Sequence, residues 1–177
     1  MRRDQLEHIV RAASAITDQR DIVIIGSQAV LGQFPDAPAE LRVSAEADVF
    51  PKARPDLAIQ IDGAIGELSP FHQTFGYYAH GVDETTATLP SGWQERLIPI
   101  RNENTGGATG WCLEVHDLAI SKLVAGREKD LEFIRILLQH RLAEPARIKE
   151  LVQSLPTSED VRGRVLSRLS RLGFSRE

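Results

Sequence analysis

At 177 residues, with 42% hydrophobic and 26% charged side chains, the chain has the make-up of an ordinary globular protein: one core, or a core plus a small helical appendage. A net charge of −4 argues against wholesale coating of nucleic acid, and a single cysteine, Cys112, excludes an internal disulfide framework. No stretch approaches the roughly 20 apolar residues that cross a bilayer. The charged N-terminal stretch lacks the apolar run of a signal peptide, so a cytoplasmic protein without a membrane partner is expected.

Residues 3–17 carry Leu6, Ile9, Val10, Ala13 and Ile16 at helical spacing, with Asp4, Glu7, His8 and Arg11 opposite, which predicts a packing helix. The β-branched run Ile22, Val23, Ile24 and Ile25 then suits a strand buried on both faces. It ends in Gly26 and Ser27, a strand-to-helix turn. Such a turn lets a phosphate approach the backbone at Gly26 and meet free N–H groups and the Ser27 hydroxyl. A short helix over Gln28–Leu31 and a Pro-rich loop over residues 33–40 lead to a second strand containing Glu46 and Asp48. Residues two apart on a strand share a face, so these carboxylates stand side by side with Ala45 and Ala47 opposite. Paired hard oxygen donors suit Mg²⁺ bridging a triphosphate. Residues 56–65 have helical spacing and end near Gly66.

Residues 67–91 are the least regular. Both tyrosines, Phe71, Phe75, His72 and His80 gather between 69 and 80, which reads as a satellite core under a loop or as an aromatic surface beside the phosphate site. Neither histidine has a Cys or His partner at ligand spacing, which argues against a zinc site. Residues 81–90 are Thr-rich and read as extended. Residues 96–101 and 110–115 flank Gly106 and Gly107 as a hairpin, with Pro99 marking an edge strand or a bulge.

From His116 onward the chain reads as helical. Leu118, Leu123, Val124, Leu131, Ile134, Leu137 and Leu138 give the apolar spacing of two helices broken at Gly126, with Lys122, Arg127 and Lys129 along the break, followed by Asp130. Pro145 opens a further helix, and residues 157–160 start the last one. There Arg164, Arg168 and Arg171 form a basic stripe, solvated or in contact with RNA.

In this order, a hydrophobic strand, Gly26-Ser27, a helix and two acids one residue apart resemble the signature of the polymerase-β-like nucleotidyltransferase superfamily. The run Arg42-x-Ser44-x-Glu46-x-Asp48 and the later Asp117-Leu118-x-x-x-Lys122-Leu123-x-Ala125-x-Arg127-x-Lys129-Asp130 resemble the minimal bacterial members related to AbiEii-type toxins. The inserted loop lengthens the interval between Ser27 and Glu46, and the first acid is Glu rather than the commoner Asp.

The resemblance implies an α+β fold: a mixed nucleotidyltransferase-type sheet flanked by helices over residues 1–115, with a C-terminal helical segment, 116–177, packed on it. It implies a Mg²⁺-dependent transfer of a nucleoside monophosphate from an NTP to an acceptor hydroxyl on RNA, such as tRNA, or on protein, in a toxin with a partner antitoxin. Glu46 and Asp48 would be metal ligands and catalytic residues, and Gly26, Ser27, Lys122, Arg127 and Lys129 phosphate binders. Asp130 would orient a lysine or act as a base. The superfamily's third acid falls among Asp83, Glu84, Glu95 and Glu114, none of which the sequence prefers. The alternative is a catalytically degenerate module of the same fold that binds a nucleotide or a partner protein.

Overall fold

The computed structural model describes residues 1–173. Contacts divide the described residues into two compact units: Met1–Thr86 with Leu97–Leu113, and Ala87–Arg96 with residues 114–173.

The first unit is a five-stranded mixed sheet flanked by helices, the α+β arrangement expected. Helix α1 (Arg3–Thr17) lays Leu6, Ile9, Val10 and Ala13 into the core, and the Gln5 side chain accepts the Arg2 N–H at its start. Strand β1 (Asp21–Ile24) is central, and Ile22, Val23 and Ile24 are buried as a two-sided strand requires. It is flanked by β2 (Glu46–Pro51), antiparallel, and by β5 (Thr109–Cys112), parallel. Strand β3 (Tyr78–Gly81) pairs in parallel with β2, which requires the crossover supplied by α2 (Ala58–Ile65) and α3 (Pro70–Phe75). Strand β4 (Ile98–Ile100) closes the other edge, antiparallel to β5, and Pro99 sits on that edge strand as its missing N–H demands. The sheet order is β3-β2-β1-β5-β4.

Four local readings of the sequence are corrected. The short helix expected over Gln28–Leu31 is a 3₁₀ helix, Ser27–Gly32, and the strands on either side of it, β1 and β2, run antiparallel. Residues 81–90 are not an extended run: the Asp83 carboxylate takes the Thr85 N–H and hydroxyl and folds Glu84–Thr86 into a 3₁₀ turn. The strand after the Gly106-Gly107 loop ends at Cys112, and Glu114 caps the next helix instead of extending it. Glu7 faces inward rather than to solvent, because Arg3, Asn102 and Asn104 all donate to its buried carboxylate.

The second unit is helical. Helices α4 (Val115–Ala125), α5 (Glu128–Gln139), α6 (Pro145–Val152) and α7 (Glu159–Gly173) bury Leu118, Leu123, Ile134, Leu137, Ile148, Val152, Val165 and Leu169. Gly126 breaks α4 from α5 at φ 64°, a left-handed conformation, and a Cβ there would stand 2.1 Å from the Arg168 guanidinium. Arg168 fills that space because it donates to the Leu123 and Val124 carbonyls at the end of α4. One arginine of the basic stripe is thus a helix cap. The segment at residues 87–96 is tied down by Arg96, which donates two 2.8 Å hydrogen bonds to the fully buried Asp117 carboxylate.

Candidate functional site

Strand periodicity puts Glu46 and Asp48 on one face of β2, while Ala47 between them is buried on the other. The parallel register sets Glu46 opposite Tyr78 and Asp48 opposite His80, so β3 contributes to the same face. His80 Nδ1 lies 3.2 Å from Asp48 Oδ1 and 3.6 Å from Glu46 Oε1, and the three residues offer ligand atoms within 4.8 Å of one another. Tyr78 donates a 2.8 Å hydrogen bond to Glu46 Oε2, fixing that carboxylate, and its ring packs on His72 with centroids 4.6 Å apart.

The Gly26–Ser27 turn belongs to the same face. Ile25 donates its N–H to the Asp48 carbonyl, and a Cβ on Gly26 would stand 1.9 Å from Asp48 Oδ2. Gly26 has φ −81°, so its conformation does not require glycine; the Asp48 carboxylate occupies the space a side chain would need. The glycine thus accommodates the acid.

The charges here do not balance. Burial and the Glu46 carboxylate push the Asp48 carboxyl up to about 6, against the opposing pull of His80. Burial and the hydrogen bond to Glu46 likewise raise the Tyr78 hydroxyl to about 12, keeping it a donor. Negative charge is crowded where a cation would relieve it. Two carboxylates and an imidazole are a donor set that a divalent cation accepts, with its remaining positions left for water or phosphate oxygens.

The helical unit contains a second ionic cluster. Asp130 is fully buried and accepts from Arg127 Nε at 2.6 Å and from Lys122 Nζ at 3.3 Å. The Lys122 ammonium also sits 4.5 Å from the centre of the Phe133 ring. Burial disfavours the Asp130 carboxylate, but Arg127 and Lys122 outweigh it and hold the group below the usual range. Burial lowers Lys122, with Asp130 partly restoring it. Arg127 and Lys129 are exposed.

Comparison with known families now decides the broader identity. The model of a family described as "Nucleotidyltransferase of unknown function (DUF6036)" matches residues 4–161. The chain belongs to that nucleotidyltransferase family. Searches of curated proteins and of solved structures returned no match.

Gly26, Glu46 and Asp48 are brought together in the sheet unit, while Lys122, Arg127 and Asp130 are brought together in the helical unit. Ser27 is the first residue of the 3₁₀ helix. Of the four acids considered for a third carboxylate, none joins Glu46 and Asp48 among the described residues. Asp83 caps its own turn, and Glu114 accepts from the His116 N–H and lies 2.8 Å from His116 Nδ1. The third member of the cluster is His80, which Cys/His spacing rules overlook because its partners are carboxylates 32 and 34 residues away. The aromatic stretch divides between two uses. Phe71, Phe75 and Tyr77 form a satellite cluster with His8, whereas Tyr78, with His72 against its ring, bonds Glu46. Among the described residues, no helix is long and apolar enough to cross a membrane.

Proposed function

We propose that this protein transfers a nucleoside monophosphate from an NTP to an acceptor hydroxyl, with Glu46 and Asp48 holding a divalent cation, Mg²⁺ being the ion expected from the sequence. The convergence of two like charges and His80 on one sheet face, next to a glycine cut back to admit Asp48, carries this reading. The bound cation would supply Lewis acidity, easing deprotonation of the attacking hydroxyl and neutralising the leaving pyrophosphate.

The protein's own groups do the positioning. Tyr78 holds Glu46 through a hydrogen bond, and Gly26 lets Asp48 stand against the backbone. The Gly26–Ser27 turn beside Asp48 receives the phosphates. Within the helical unit, Arg127 and Lys129 offer exposed positive charge to phosphate, and the buried Asp130 orients Arg127 and Lys122. A carboxylate so firmly held as an anion is a weak base, which favours the positioning role for Asp130. The acceptor is a hydroxyl on RNA, such as a tRNA end, or on protein, in a toxin-like role with a partner antitoxin.

A second reading draws on the imidazole, rather than a third carboxylate, that joins Glu46 and Asp48: a nucleotidyltransferase-fold module that binds a nucleotide or a partner protein without transfer. NTPs labelled at the α-phosphate, incubated with Mg²⁺ or Mn²⁺ and cellular RNA or protein, separate the two. Label transfer by wild type that is lost in the Glu46→Ala/Asp48→Ala variant supports the enzyme. Metal-dependent NTP binding with no transfer to any acceptor supports the module.

A further inference from the structure

We infer that His80 is the third protein ligand of the cation site, and that it turns the site's preference from Mg²⁺ toward a first-row transition ion that accepts both oxygen and imidazole donors. The inference rests on the reading of Glu46 and Asp48 as cation ligands.

Three observations support it. The β2–β3 register places His80 opposite Asp48 on the face that both acids share, while Ala47 and Ala79, also opposite each other, are buried on the other face. The orientation is convergent: His80 Nδ1 faces both carboxylates, at 3.2 and 3.6 Å. The site is also reachable, with the side chains of His80, Glu46 and Asp48 exposed by 51%, 36% and 25%. The 3.2 and 3.6 Å separations lie within the roughly 4.0–4.6 Å that two ligands of one ion can span at metal–ligand distances of about 2.0–2.3 Å.

Ligand chemistry sets the selectivity. Mg²⁺ takes hard oxygen donors and gives up water reluctantly, so an imidazole nitrogen gains it little. Manganese accepts carboxylate oxygen and imidazole together, and its partly filled positions leave room for water and phosphate oxygens. Replacing His80 by aspartate would restore an all-oxygen set at the same place on β3.

The test uses the full-length protein and metal ions alone. Mn²⁺ and Mg²⁺ are titrated into wild type, His80→Asp and Glu46→Ala/Asp48→Ala, each shown to be folded by circular dichroism. Pulsed electron paramagnetic resonance of the Mn²⁺ forms then detects any directly bound nitrogen. The expected result is nitrogen coupling in wild type that vanishes in His80→Asp, together with a fall of about tenfold in the preference for Mn²⁺ over Mg²⁺. Mn²⁺ bound through Glu46 and Asp48 without nitrogen coupling would overturn the role of His80 and leave the acid site standing. No Mn²⁺ binding by folded wild type would overturn both.

Discussion

The two ionic clusters of this protein are built on opposite principles. Around Asp130 the charges are settled: one buried carboxylate, a partly buried lysine and an arginine meet at hydrogen-bond distance, and the acid is held as an anion. Around Asp48 they are not: two carboxylates share a face with one imidazole, and Asp48 is pushed toward its neutral form. A settled cluster fixes a fold, whereas an unsettled one costs stability until something binds. That contrast favours the sheet face as the proposed ligand site.

If the contrast is right, removing an acid has opposite effects in the two places. The largest effect falls on the settled cluster. Asp130→Ala removes the carboxylate that Lys122 and Arg127 share and should cost about 3–5 kcal/mol of stability, read from urea unfolding. A loss under 1 kcal/mol would mean that Lys122 finds another partner or deprotonates.

At the unsettled cluster, Asp48→Asn should raise the stability of the metal-free protein by about 1–2 kcal/mol at pH 8 while removing divalent-cation binding. The sign follows from linkage. The Asp48 carboxyl is raised from 3.8 to about 6 in the folded state, so its favourable contribution is full below pH 4 and is lost as pH rises through about 6. Unfolding of the metal-free wild type should therefore show a fall in stability between pH 4 and 6 that Asp48→Asn flattens. Cation affinity should rise across the upper part of the same window, because the ion needs the deprotonated pair.

A third variant acts on geometry alone. In Gly26→Ala the added Cβ would lie 1.9 Å from Asp48 Oδ2, so the carboxylate must move. Cation affinity should drop by about tenfold or more, since displacements of this size disable preorganised sites. Unchanged affinity would show that Asp48 binds from some other position. The smallest effect is expected from Arg168→Ala, which uncaps α4 and should cost about 1 kcal/mol with no change in cation binding.

What could be read from the sequence follows from the range of the interactions. Helix α1, the buried strand β1 and the acid pair on β2 were legible, because apolar spacing and period-two alternation are local. The break at Gly126 and the edge position of Pro99 followed from what those residues forbid. Strand β3 was not legible: it is four residues long, follows a short helix capped by Ser69, and is defined by pairing with β2 some 32 residues earlier. His80 was missed with it. The purpose of Gly26 was half legible, since the sequence marks a close approach to the backbone but not that an Asp48 oxygen is what approaches. Glu7 was misplaced because its partners, Asn102 and Asn104, come from the far side of the chain.

The most direct test of the central claim is calorimetric titration of each of the four NTPs, with and without Mg²⁺ or Mn²⁺, into wild type and Glu46→Ala/Asp48→Ala. The account predicts binding of at least one NTP that requires both the cation and the two carboxylates. NTP binding that is indifferent to both, or no binding of any NTP by folded wild type, would contradict it.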